Sequence, residues 1–192
     1  MTKPHTLHIR NMVCPRCLKV VNQELDKLDL QPLAIQLGEV KLEQEPTVEQ
    51  LQMLRIALQE NGFELIEDKK AELVEKIKIA IIELIRSGEV ENLSVNVSDY
   101  LAQALGRDYH YLSTLFSAAE GLTIARYMVL QKVERAKELL AYNELSLSQI
   151  SFQLGYSSVA HLSAQFKQVT GMSPSDYKKA AAPSRKPLDN VN

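Results

Sequence analysis

The chain has 192 residues, of which 45% are hydrophobic and 24% charged, and its formal net charge is -2. This is ordinary globular usage, long enough for two modest cores, and it excludes a dominant low-complexity region. The longest apolar run, Ile79 to Ile82, is far too short to span a bilayer and the N-terminus holds no apolar signal core, so a cytoplasmic protein with no membrane segment is expected.

Two cysteines, Cys14 and Cys17, exclude a disulfide framework and point instead to a paired-thiol site. The charge is uneven. Residues 1–97 hold 12 Lys+Arg against 16 Asp+Glu, whereas residues 98–192 hold 10 against 8. A mildly basic second half predicts modest, weakly salt-dependent affinity for any nucleic acid, because phosphate neutralisation supplies most non-specific binding.

In chain order, Thr6 to Arg10 alternates polar and apolar, with Leu7 and Ile9 on one face, and reads as a half-buried strand. Asn11 to Cys17 forms a loop, from which Leu18, Val21, Leu25 and Leu28 continue at helical spacing. Leu33 to Leu37 and Val40 to Leu42 are short strands joined across Gly38-Glu39. Thr47 caps the next helix, Gln50 completes a capping box, and Val48, Leu51, Leu54 and Leu58 give the apolar face before Asn61-Gly62 ends it. Phe63 to Ile66 supplies a last strand. Strand, helix, strand, strand, helix, strand within seventy residues is the ferredoxin-like βαββαβ layout.

Residues 69–86 read as one uninterrupted helix with Leu73, Ile77, Ala80 or Ile81, and Leu84 on one stripe. Two fates are open to that stripe: packing on a flanking domain, or pairing with the same helix of a second chain as a homodimer. Residues 87–96 read as a hinge, and Ser98 or Asp99 as the cap of the next helix.

The second half holds a repeat at an offset of about fifty residues. Leu101, Leu105-Gly106, Leu112, Phe116 and Gly121 recur as Ile150, Leu154-Gly155, Leu162, Phe166 and Gly171. In each copy two apolar residues four apart precede a glycine and two more follow it, so two short helices each bury one stripe across a tight turn. Each copy closes alike, with Thr123 or Ser173 capping the next helix and Pro174 at its first position. This is the layout of a helix-turn-helix, whose second helix enters a DNA major groove; two in one chain could read two successive grooves. The helix over 123–142 connects the two units. The tail from residue 180 has nothing to bury and is expected to be disordered.

Gly155-Tyr156-Ser157-Ser158, followed by Leu162, Phe166-Lys167, Gly171, Ser173-Pro174 and Tyr177, resembles the DNA-binding module of AraC/XylS-type transcription regulators over residues 98–179. The resemblance implies sequence-specific binding to double-stranded DNA. It places Val159, Ala160, His161 and Ala164 of the second recognition helix at base edges, with Ser157 and Ser158 near phosphates. It places Tyr109, His110, Ser113 and Thr114 likewise in the first. Ser117 and Ala118 stand where that family usually has basic residues, and Lys132 where it usually has arginine. The alternative is a helical module serving protein contacts alone.

Met12-x-Cys14-x-x-Cys17 lies at a strand-to-helix junction. Two thiols three apart converge on one point, and the partial positive charge of a helix N-terminus is expected to lower their pKa values. Soft thiolates suit Cu(I) and related ions of low coordination number, whereas a closed Zn site needs four ligands. The loop and strand order over 5–67 resemble the heavy-metal-associated domain of copper chaperones and metal-transporting ATPases, which implies metal binding at Cys14 and Cys17. Asn11 replaces that family's usual glycine and Val13 its threonine. A redox dithiol and a purely structural loop remain alternatives.

No paired carboxylates, Ser-His arrangement or phosphate-cradling glycine loop is present, so no enzyme is expected. The combined reading is an α+β N-terminal domain (5–67), a linker helix and hinge (68–97), an all-α double helix-turn-helix domain (98–179) and a tail (180–192). It describes a DNA-binding transcription regulator responsive to a soft metal ion. The alternative is a chaperone-like metal-handling protein whose helical half binds a protein partner.

Overall fold

The structure, a computed structural model, describes residues 4–88, 90, 96–142 and 144–181. Most of the expected hinge and nearly all of the expected tail lie outside the described residues. Two compact units divide the chain: Met1–Ala80 with Leu101–Gly121, and Ile81–Tyr100 with Leu122–Asn192.

The first unit opens with β1 (His5–Arg10), α1 (Pro15–Asp26), β2 (Pro32–Gln36), β3 (Glu39–Leu42), α2 (Val48–Glu60) and β4 (Glu64–Ile66). The strands form one antiparallel sheet in the order β2-β3-β1-β4, with Leu7 opposite Val40 and Ile9 opposite Leu65. That register sets the apolar residues of three strands on one face. There they meet Val21 and Leu25 of α1 and Leu54 and Leu58 of α2 in a single buried cluster. Complete burial of each such leucine contributes about 1.5–3 kcal/mol. Val48, expected on that face, is instead 79% exposed. It is the first residue of α2, three residues before Leu51, which does pack against the cluster.

The edge strand β2 begins at Pro32 and its register with β3 is irregular between Pro32 and Ala34. The Thr47 capping box forms as expected: Gln50 N–H donates to Thr47 Oγ1 at 3.2 Å and Thr47 N–H to Gln50 Oε1 at 3.0 Å.

The helix α3 (Lys69–Ser87) follows. Its Ile77, Ile81 and Ile85 are buried within a single chain, while Leu73 is half-buried. Leu84, the last residue of the expected stripe, is buried as well. The first half of α3 lies over the second face of the sheet. His8 Nε2 is 3.4 Å from Glu72 Oε1, and a Cβ on Gly38 would fall 2.3 Å from Ile79 Cδ1.

The helices α4 (Val97–Leu105), α5 (Tyr109–Glu120), α6 (Ile124–Tyr142), α7 (Leu147–Gln153), α8 (Val159–Thr170) and α9 (Pro174–Ala181) follow the repeat closely. The cap of α4 is Asn96, whose Oδ1 accepts from Asp99 N–H at 2.9 Å, not Ser98 or Asp99. An Asn, a Ser and an Asp stand within four residues here, and any of them is a competent cap. In the second unit α6 packs on α7, α8 and α9. Val133, Ala136, Leu139 and Leu140 turn inward from it, and Phe166 meets Tyr177 edge to face at 5.4 Å.

Candidate nucleic-acid interface and thiol loop

In the second helix pair, Ile150, Leu154, Leu162 and Phe166 are all fully buried, so the repeat's apolar stripes form the interface between α7 and α8. Gly155 makes the turn between them at φ +65°, a left-handed conformation costly to any residue with a Cβ. With one face of α8 fixed inward, the opposite face is fixed outward. Ala160, His161 and Ala164 are exposed there, as are Ser157 and Ser158 at its start, while Val159 is half-buried.

Three consecutive residues ahead of α8 converge on His161. Ser158 is the N-cap, and its Oγ accepts from His161 N–H at 3.1 Å. Ser157 Oγ lies 3.2 Å from His161 Nδ1. The Tyr156 ring meets the imidazole edge to face at 5.3 Å, with an interplanar angle of 86°. Lys132 of α6 sits over the Tyr156 ring at 5.1 Å, a cation–π contact. Burial lowers the Lys132 pKa and pushes the Tyr156 phenol up to about 12. The Tyr156 hydroxyl is buried without a hydrogen-bond partner among the described residues.

The first helix pair follows the same rule. Leu101, Leu112 and Phe116 are fully buried, and Asp108 caps α5 by accepting from His110 N–H and Tyr111 N–H at 2.9 and 3.2 Å. His110 and Thr114, one turn apart, are exposed; Tyr109 and Ser113 are half-buried, and Ser113 donates to the His110 carbonyl. The apolar spacing gave this face, whereas the contacts around His161 had only a weak signal: Ser157 and His161 are four residues apart across a helix start.

Cys14 and Cys17 come together at the start of α1. Cys14 is its N-cap, Pro15 occupies the first helical position, and the two Sγ atoms are 3.2 Å apart. Met12 is fully buried in the sheet cluster, against which Cys17 packs. Among the described residues no group of three or more His, Cys, Asp or Glu side chains is placed to hold a metal ion. The expected fall in thiol pKa is not what Cys17 shows: burial, followed by the Cys14 contact, raises it. Asn11, where the resemblance has glycine, adopts φ +71°; asparagine tolerates this region better than most side chains.

The loop is tied to α3. Asn11 N–H donates to Glu75 Oε1 at 2.9 Å, and Cys17 Sγ reaches the Asn11 carbonyl at 3.9 Å. Glu75 is almost wholly buried and pairs with Lys78 at 3.0 Å; Lys78 in turn lies 3.6 Å from Glu120, the last residue of α5. A buried carboxylate persists only when paired and hydrogen-bonded in this way.

Comparison with known proteins bears on the second half. A family described as "Helix-turn-helix domain" matches residues 101–180. The Msm operon regulatory protein of Streptococcus mutans is 33% identical over 86 residues, which cover 45% of this chain and 31% of that protein. A putative AraC-like transcription regulator of Streptomyces antibioticus is 32% identical over 83 residues, covering 43% and 27%. The chain thus spans about a third of the length of the curated relatives it matches. Both relatives are named as regulators. The C-terminal domain of AraT, a response regulator from Geobacillus stearothermophilus, shares the fold with a TM-score of 0.52 at 22% identity, covering 62% of this chain and 94% of that one. No helix among the described residues is long and apolar enough to cross a membrane. Two capped helix pairs bury a repeated apolar stripe, residues 101–180 match the helix-turn-helix domain, and the chain is similar to AraC-like transcription regulators.

Proposed function

We propose that this chain is a cytoplasmic transcription regulator that binds double-stranded DNA sequence-specifically. In this reading α5 and α8 are the recognition helices. His110 and Thr114, flanked by Tyr109 and Ser113, face bases from the first. Ala160, His161 and Ala164, flanked by Val159, do so from the second, with Ser158 at its phosphate end and Ser157 beside the imidazole of His161. The observation that carries the reading is the outward face of α8, a buried-stripe helix whose opposite side is short, exposed and headed by two serines. Small side chains there allow close approach of the helix to thymine methyls and leave His161 as the polar reader.

Random-site selection with the full chain tests this. One enriched motif supports the regulator; no enrichment, with or without metal, favours the metal-handling alternative in which the helical half docks on a protein.

The N-terminal βαββαβ unit is read as a ferredoxin-like domain, on its element order and its β2-β3-β1-β4 sheet. Cys14 and Cys17 fit a soft ion of low coordination number. Their sulfurs converge, and among the described residues no further ligand stands near enough to close a four-ligand site. Such an ion, when bound, supplies a positive charge that holds both sulfurs as thiolates. The chain's own residues would pass the change on. Loss of the Cys17 proton alters its contact with the Asn11 carbonyl, and Asn11 N–H, Glu75, Lys78 and Glu120 form a continuous line from there to the end of α5. Linkage requires the effect of Cu(I) on DNA affinity to equal the effect of DNA on Cu(I) affinity. Cys14→Ser/Cys17→Ser should abolish both; metal-dependent DNA binding that survives it refutes the coupling.

A further inference from the structure

We propose that Ser157 and Tyr156 are positioning residues for base reading, and that together they lock His161 so that Nε2–H is offered as a donor to an acceptor on a base edge. The inference rests on the DNA-binding reading above and deepens it by naming how one residue of α8 gains specificity and for which base chemistry.

An exposed histidine on a helix ordinarily samples several rotamers, and each must be given up on binding. His161 is exposed, yet it is held from three directions by the residues that immediately precede α8. Ser158 fixes its backbone, the Tyr156 ring limits the imidazole plane, and Ser157 engages Nδ1. Tyr156 is itself buried and has Lys132 over its ring. The scaffold under His161 therefore runs from the core helix α6 through a packed aromatic ring to the imidazole.

In the arrangement proposed, the Ser157 hydroxyl donates to Nδ1, which puts the proton of the neutral ring on Nε2; the reverse, Nδ1–H donating to Ser157 Oγ, would make Nε2 an acceptor and is what the base preference measured below distinguishes. In the protonated ring Nδ1–H donates back to Ser157 Oγ, and Nε2–H is a donor still. No hydrogen bond to Nε2 is made among the described residues. The base atom that suits it is an acceptor in the major groove: purine N7, guanine O6 or thymine O4, not the amino groups of adenine or cytosine. A preset side chain spares roughly the ordering cost of one rotamer-rich residue, equivalent to about two- to tenfold in affinity at the contacted base pair alone.

Site selection and competition binding with native chain, Ser157→Ala, Ser157→Thr and His161→Ala test the proposal. Circular dichroism confirms helix content for each. Ser157→Ala should flatten the same one or two base-pair positions that His161→Ala flattens, by about two- to tenfold, and leave the other positions and non-specific affinity unchanged. Ser157→Thr, which keeps the hydroxyl, should restore the native profile. Adding Ser157→Ala to His161→Ala should cost nothing more. Replacing a selected guanine by 7-deazaguanine at that position should weaken the native chain and not His161→Ala. Two results overturn the inference: Ser157→Ala weakens all sequences equally, which assigns Ser157 to the phosphate backbone, or it leaves the profile intact while His161→Ala changes it. If the native chain enriches no motif at all, the DNA-binding reading itself fails, an outcome distinct from either.

Discussion

The two repeats contain the same turn in different surroundings, and this separates backbone strain from crowding. Gly106 and Gly155 both stand in the left-handed region, at φ +60° and +65°. A Cβ on Gly106 would meet nothing within 4 Å, whereas one on Gly155 would fall 2.8 Å from Val90 Cγ1. Gly106→Ala should therefore show the conformational term alone, a loss of about 1–2 kcal/mol offset by about 0.4–1 from the stiffer unfolded chain. The net is about 1 kcal/mol. Gly155→Ala adds an overpacking cost of about 1–3 kcal/mol, because valine is stiff about χ1 and cannot swing its methyl clear. Its total should be about 2–4 kcal/mol. Urea unfolding of the full chain followed by circular dichroism reads both values from the shift in midpoint at constant slope. In a Val90→Ala background the excess at residue 155 should vanish while the strain remains, a coupling of about 1–3 kcal/mol. Equal losses at 106 and 155, or an excess insensitive to Val90, would show that Val90 does not press on the turn and refute the reasoning.

Tyr156→Phe removes a buried hydroxyl that lacks a partner among the described residues and keeps the ring contacts, so it should raise stability by about 1 kcal/mol, a Tm increase of roughly 2–4 °C by calorimetry. Its pH signature has a definite sign: the folded phenol, pushed up to about 12, binds its proton more tightly than the unfolded one. The native chain should then lose stability as pH rises from about 10 towards 12, and Tyr156→Phe should lose less over that window. At Asn11, with φ +71°, Asn11→Gly and Asn11→Ala both give up the bond from Nδ2 to the Gly62 carbonyl, so their difference isolates backbone strain. After the same offset from the stiffer unfolded chain, alanine should be the less stable by about 1 kcal/mol in urea titration. Because burial raises the Cys17 thiol, its alkylation by iodoacetamide should reach half-maximal rate above the ordinary thiol range; a midpoint below that range would mean that the helix N-terminus dominates after all.

Periodicity alone makes most of the architecture legible. The stripes of Leu101 to Phe116 and Ile150 to Phe166 marked both helix pairs because apolar residues four apart on either side of a glycine suit two packed helices and fit neither a strand nor a loop. All of these but the half-buried Leu105 are buried. The Thr47–Gln50 box was equally plain, since it is a local pattern satisfied by local bonds. What failed depended on distant neighbours. Burial of Cys17 comes from packing that its own segment does not encode, and it outweighs the helix terminus that the segment does encode. Val48 obeys the spacing of its helix but lies beyond the reach of the sheet cluster. The ties from Asn11 to Glu75 and from Lys78 to Glu120 join residues 64 and 42 positions apart, and nothing short-range announces them. At the candidate interface the outward face was readable, and the clasp on His161 by Tyr156 and Ser157 was not, because it needs the extended backbone of the turn at Ser158.

The outermost strand of the sheet has a consequence for behaviour at high concentration. A bare strand margin is an invitation to a neighbouring molecule, since its amide and carbonyl groups are already aligned for another to join. Here that margin starts on an imino acid with no hydrogen to give, then slips its spacing before Ala34, and ends after five residues. Leu33 can remain outside without recruiting a stranger, and self-association by strand addition is discouraged at the point where the sheet is most open to it.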